Sequence, residues 1–183
     1  MADFSIEHLG ACQYDNPLHR LLNFSYRVEH ERLLLQPEVL CHDTGFDLQT
    51  TDTLELAGPR ALLFFEASKT RAAIVTCGGL CPGLNAVIRG LVMQLWHVYG
   101  CRDILGIRYG YHGLGNQGSE PLALNPDSVS GIKGNGGTLL GSSRGTPPTS
   151  ELVDNLQKHQ IDMLFVIGGD GSMRGAEALW EEI

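Results

Sequence analysis

A chain of 183 residues with 43% hydrophobic and 19% charged side chains is long and apolar enough for one good core. Its formal charge of −8, from 21 Asp and Glu against 13 Lys and Arg, argues against a surface that neutralises nucleic-acid phosphates, and no apolar run approaches the ~20 residues of a membrane span. Five cysteines without a C-x-x-C pair, behind a start that lacks a secretory leader pattern, read as reduced thiols of a cytoplasmic protein.

Residues 1–70 hold 11 Asp and Glu against 5 Lys and Arg, but only three of the 23 glycines: Gly10, Gly45 and Gly58. Ser25 to Arg32 and Arg60 to Glu66 fit strand or short helix equally well, and Asp43-Thr44-Gly45 and Ala57-Gly58-Pro59 are turn signals. The segment is expected to be an N-terminal extension of a main domain over 71–183.

From Ala72 the pattern becomes regular. Ala72 to Thr76 is an apolar strand, followed by a glycine turn (CGGLCPG) and a helix from Leu84 to Tyr99 that places Val87, Ile88, Leu91, Leu95 and Val98 on one face and stops at Gly100. Asp103 to Ile107 is a second strand, leading into a loop with Tyr109 and Tyr111. A short helix is expected over Pro126 to Ile132 with Asn125 as its cap, then a glycine-dense loop from Gly134 to Gly145. Ser150 to Gln160 has helical spacing with Thr149 as cap, Ile161 to Ile167 is a third strand, and after Gly168-Gly169-Asp170-Gly171-Ser172 a further helix begins at Ser172 and runs through Ala176 to Ile183. Trp96 and Trp180 read as packing residues, and His97 and His112 as structural or solvated.

Alternating strands and helices with apolar strands define an α/β fold: an open, mostly parallel sheet with flanking helices. Ligands of such sheets bind at the carboxyl ends of the strands, so the glycine loops are expected to converge on one site there. Because the sequence ends early in a helix, it reads as part of a longer protein.

The loops point to phosphate. Gly78 and Gly83 have the glycine spacing of a Walker A loop, but Leu84 and Asn85 stand where Lys and Ser/Thr are required. The dinucleotide fingerprint fails too, since the glycines run G-G-x-x-x-G. The first loop must therefore share its ligand with others. Asp170 offers a carboxylate at a strand end, where Mg²⁺ can bridge to phosphate oxygens; the alternative is a simple helix cap. Arg144, set among Ser142, Ser143 and Gly145, can donate to two phosphate oxygens at once. Tyr109 and Tyr111 are equally readable as faces for a base or as core. Cys77 and Cys81 read as small packing residues.

In order and spacing, CGGLCPGLNAVIRG from Cys77, GYHGLG from Gly110, GGTLLGSSRG from Gly136 and GGDGS from Gly168 resemble the phosphofructokinase family. AGPR at Ala57 is similar to the extension of its plant- and trypanosomatid-like members, and Leu80-Cys81, in place of the Asp-Ala of the common bacterial loop, points to the same branch. The resemblance implies a Rossmann-like nucleotide-binding domain, incomplete over 71–183, in an ATP-dependent 6-phosphofructokinase of glycolysis that phosphorylates the 1-hydroxyl of fructose 6-phosphate with Mg²⁺, forming a cytoplasmic homo-oligomer. Carried over by motif, Gly79 holds phosphate through its backbone, Tyr111 lies near the nucleotide, and Arg144 and Gly145 contact the phosphates. Gly169, Asp170, Gly171 and Ser172 line the nucleotide site, Asp170 serves Mg²⁺, and Gly175 allows close approach of the nucleotide to a helix.

In this family a glycine at the place of Gly171 goes with ATP and an aspartate with pyrophosphate. The T-I-D-N-D-like motif that supplies the general base is absent, as are the residues that bind the sugar 6-phosphate, so these 183 residues alone are expected to be inactive. Arg89 is present, but Met93 replaces the second arginine of the bacterial effector site. A pyrophosphate-dependent enzyme and a non-catalytic nucleotide-binding subunit are the alternatives.

Overall fold

A computed structural model describes residues 8–21, 25–28, 31–34, 53–78 and 82–183. The turn expected at Asp43 to Gly45 lies outside them. Two compact units divide the chain, Met1–Phe65 and Glu66–Ile183. In the first, β1 (Tyr14–Asp15) and β2 (Arg32–Leu34) each pair antiparallel, with β4 (Leu62–Leu63) and β3 (Thr53–Glu55) respectively. Asn16, directly after β1, is buried: its amide donates to the Arg60 carbonyl and its Oδ1 accepts from the Leu18 N–H, so both ends of the polar side chain are satisfied.

The second unit is the expected α/β layer. The central strand β5 (Arg71–Thr76) leads to α1 (Leu84–Gln94), then β6 (Asp103–Ile107), β7 (Leu122–Ala123), α2 (Thr149–Lys158), β8 (Met163–Ile167) and α3 (Asp170–Glu182). The sheet runs β7-β6-β5-β8, with β6 and β8 parallel to β5 and β7 antiparallel to β6. Ala72 to Thr76 are fully buried because helices cover both faces of β5. Ile74, Ile88, Val92 and Ile104 pack on one side, and Val75, Ile107, Leu152 and Leu156 on the other. At the amino end of the sheet Arg71 ties three elements together. It donates to the Asp103 carboxylate at 2.6 Å and to the His159 carbonyl, while its N–H reaches the Asp162 carboxylate.

Several local expectations change. The buried face of α1 is Leu84, Ile88 and Val92, with Val87 exposed, and the last turn widens into a π-helix over Leu95–Tyr99 before Gly100 ends it at φ +74°. The residues from Pro126 form a turn rather than a helix. Asn125 and Ser128 do exchange the reciprocal bonds of a helix start, but the serine-rich stretch running to Gly131 does not propagate one. Thr149 is the first residue of α2, not its cap; that place belongs to Pro148, which makes no side-chain bond. Trp180 is 62% exposed, because Leu179 takes the core position and its neighbour lies about 100° round the helix. The two-residue β7 was not expected at all.

Candidate nucleotide and phosphate site

A cleft of about 410 Å³ opens at the carboxyl ends of β5 and β8, lined by Cys77 and Gly78, Tyr111, Ser143 to Thr146, Gly169, Gly171 and Ser172. It draws together the first glycine turn, the Tyr111 turn, the Arg144 loop and the start of α3. The first and third loops meet backbone to backbone. A Cβ on Gly78 would lie 3.4 Å from Gly168 Cα, in ordinary contact, while one on Gly168 would run into the Ser172 side chain, so Gly168 is the position that requires a glycine.

The Arg144 loop is tied to the strand ends. Thr76 Oγ1, at the end of β5, donates to the Gly141 carbonyl at 2.9 Å and lies 3.0 Å from Thr138 Oγ1. Tyr109, at the unusual φ of +62° for a non-glycine, is held by its N–H to Leu140 O at 2.7 Å and by the Ser143 hydroxyl on its own carbonyl at 2.6 Å. Arg144 itself is exposed, with no hydrogen-bond or ion-pair partner among the described residues. Its guanidinium is thus available to an anion in the cleft.

The helix α3 begins at Asp170, two residues before the expected Ser172. Gly169 is the N-cap and makes no side-chain cap bond, and its carbonyl accepts from the Ser172 N–H at 2.9 Å and the Met173 N–H at 3.1 Å. Asp170 is the first helical residue rather than the cap, exposed between two glycines that line the cleft but not itself part of the lining.

Tyr111 lines the cleft but is buried, which leaves little of its ring open to stacking. Its hydroxyl donates to the Ser172 carbonyl at 2.7 Å, and its ring fills the space beside Gly175, where a Cβ would come within 2.6 Å of Cε2. The room at Gly175 is thus taken by Tyr111, and Gly175 does not line the cleft. Tyr109 is exposed and carries the Arg108 guanidinium 5.2 Å from its ring centre. Burial pushes the Cys77 thiol up to about 11 and the Tyr111 hydroxyl up to about 12, so both stay protonated at neutral pH. Gly79 lies outside the described residues.

No group of three His, Cys, Asp or Glu side chains that could hold a metal exists among the described residues. One carboxylate, Asp170, fits a Mg²⁺ that keeps its waters and is shared with phosphate oxygens, rather than a protein-only metal centre.

Sequence reasoning passed over Thr76, Ser143, Thr146 and Asn85. The last was legible as a polar residue on the apolar face of α1, between Leu84 and Ile88.

A mostly parallel α/β sheet here brings its glycine loops, a helix N-terminus and an arginine without a partner among the described residues to one cleft, the kind of arrangement in which phosphate groups are held. The family model "Phosphofructokinase" matches residues 71–183, and the chain belongs to that family. It is 43% identical over 187 residues to the ATP-dependent 6-phosphofructokinase of Borreliella burgdorferi, covering 99% of this chain and 41% of that protein. Against the ATP-dependent 6-phosphofructokinase of Trypanosoma cruzi it is 40% identical, covering 98% of this chain and 38% of the relative. ATP-dependent 6-phosphofructokinase 7 of Arabidopsis thaliana is 48% identical over 127 residues, covering 69% of this chain and 26% of that protein.

The crystal structure of Pichia pastoris phosphofructokinase in the T-state matches with a TM-score of 0.57 at 27% identity, covering 72% of this chain and 16% of that one. The chain spans about 40% of the length of the first three curated relatives it matches.

Proposed function

We propose that this chain forms the nucleotide-holding part of an ATP-dependent 6-phosphofructokinase, which transfers the terminal phosphoryl group of ATP to the 1-hydroxyl of fructose 6-phosphate. The observation that carries this is the single cleft shared by Gly78, Arg144, Gly145, Gly169, Gly171 and Ser172, in a chain whose relatives are named for that activity. Phosphoryl transfer depends on positioning and charge stabilisation, and the cleft offers both through backbone N–H groups and one guanidinium.

Arg144 and Gly145 contact the phosphates, and Gly79 adds its backbone. Asp170 would hold Mg²⁺, which supplies positive charge against the phosphate oxygens. A Cβ on Gly171 would meet nothing within 4 Å, so the space an acidic side chain would enter is open to a nucleotide, which supports ATP as donor. Residues 71–183 are part of the nucleotide-binding domain and 1–70 an N-terminal extension. The protein works in the cytoplasm as a homo-oligomer.

The test is a coupled assay of the whole protein for fructose 1,6-bisphosphate with ATP and with pyrophosphate. Product with ATP is expected, and none from residues 1–183 alone. Product with pyrophosphate only would replace the donor, and no product with either would leave a nucleotide-binding subunit.

A further inference from the structure

On that reading, we infer that Asn85 is a positioning residue that sets Arg144 by clamping the glycine loop ahead of it. Asn85 is 4% exposed in the first turn of α1, directly behind the first glycine turn. Its Oδ1 accepts from the Leu139 N–H at 2.6 Å and its Nδ2 donates to the Asn135 carbonyl at 3.1 Å. A backbone N–H can only donate and a carbonyl only accept, so the orientation of the amide follows from its partners.

The bridged segment runs between the buried Ile132 and Leu140, and its own glycines add no side chain to anchor it. A Cβ on Gly134, Gly136 or Gly137 would meet nothing within 4 Å, so the space a side chain would take at these positions is open. Glycines also lose more conformational freedom on ordering than other residues, which makes a free Gly-Gly segment costly to hold in one shape. The amide closes residues 135–139 at both ends, and Thr138 Oγ1 then bonds to Thr76 Oγ1 and accepts the Leu140 N–H. From Leu140 the chain passes through Gly141, bonded to Thr76, and Ser143, bonded to Tyr109, straight to Arg144.

The clamp needs a donor and an acceptor on two separate atoms of a short side chain, which the asparagine amide provides. Aspartate keeps the acceptor for Leu139 but sets an oxygen against the Asn135 carbonyl. Alanine leaves both backbone groups without this partner. Because Asn85 also stands at the start of α1, it links the first phosphate loop to the loop that carries Arg144. It does not itself line the cleft and acts through the loop.

The whole protein carrying Asn85→Ala is compared with wild type in two ways. Hydrogen exchange without ligand is expected to accelerate by about 10-fold or more over residues 135–145, with β5 unchanged. Unchanged exchange there overturns the clamp. The kcat for ATP-driven phosphorylation is expected to fall by about 10- to 100-fold, the scale of a small misplacement.

In an Arg144→Ala background the same substitution should cost less than about 3-fold, since its partner in function is already gone. Equal losses in both backgrounds overturn a role through Arg144 and leave Asn85 merely structural. Should Asn85→Ala fail to fold, Asn85→Asp takes its place, with exchange expected to rise at 135–137. A wild-type protein without phosphotransferase activity defeats the proposed function, and hydrogen exchange then decides the clamp alone.

Discussion

The Tyr111 hydroxyl donates to the Ser172 carbonyl at 2.7 Å while the Tyr111 ring lies where a side chain on Gly175 would stand. One aromatic residue thus joins the turn after β6 to the first two turns of α3, the helix that begins with Asp170.

This fit makes Gly175→Ala a test of packing against propensity. Alanine favours a helix interior over glycine by about 1 kcal/mol. Overpacking typically costs about 1–3 kcal/mol, and here the new methyl would meet ring carbons at 2.6 and 3.1 Å. Net destabilisation is expected, read as a lower urea midpoint. A midpoint at or above wild type would mean that Tyr111 yields readily, and that the ring does not hold α3. Tyr111→Phe should cost about 1 kcal/mol through the lost hydrogen bond.

Arg144 has no partner among the described residues, so its removal leaves packing intact. Arg144→Ala in the whole protein should lower kcat by about 10²- to 10³-fold, as for other preorganised charge donors, with an unchanged circular dichroism spectrum and urea midpoint. Near-normal turnover would remove it from the site.

Asp170→Asn separates a metal role from a helix role. Loss of a carboxylate in the first turn of α3 costs about 0.3–1 kcal/mol of stability through the helix dipole. Turnover should fall by orders of magnitude and require more Mg²⁺ to saturate. A mutant with the wild-type Mg²⁺ response would place the metal elsewhere.

Gly171→Asp tests donor choice. Nothing lies within 4 Å of the new Cβ, so folding should survive, while a carboxylate in the cleft repels nucleotide phosphate. ATP-driven turnover is expected to drop by about 100-fold, about 2.7 kcal/mol of transition-state stabilisation. Retained ATP use would mean the nucleotide lies away from this residue.

Alkaline stability follows from groups whose protons the fold holds more tightly, among them the half-buried Cys77 thiol and the buried Tyr111 hydroxyl. Both Cys77 and Tyr111 hold their protons more tightly folded than unfolded, with folded values near 11 and 12 against ordinary values of 9.0 and 10.0. Their stabilising effect is full below the unfolded values and is lost as pH rises from 9.0 through about 11 for Cys77, then through about 12 for Tyr111. Urea midpoints measured from pH 8 to 11 should fall, and Cys77→Ala should flatten the first part of the decline. A profile equally steep in that variant would assign the loss to other groups.

Much of the second unit was legible because its signals are local. Apolar runs bounded by glycine mark β5, β6 and β8 within a residue or two, and buried parallel strands need such runs. The convergence of loops follows from the strand-end rule, and Arg144 and Asp170 stood out as the charged residues within glycine-rich loops. Short elements were not legible. The strand β7 has two residues and exists only because Leu105 and Gly106 pair with it, and the turn at Asn125 uses a helix-start pair without a helix.

What the sequence by itself determined is the order of the three parallel strands and the helices between them, and which glycine loops meet at the strand ends, since hydropathy period and glycine spacing are read along the chain. Only the tertiary structure decided how side chains far apart in sequence divide their work. Tyr111 turned its ring inward because Gly175, 64 residues on, leaves room for it. Asn85, at a place where a P-loop would need a hydroxyl, bonds a segment about 50 residues away, because a buried amide must find its partners wherever folding brings them.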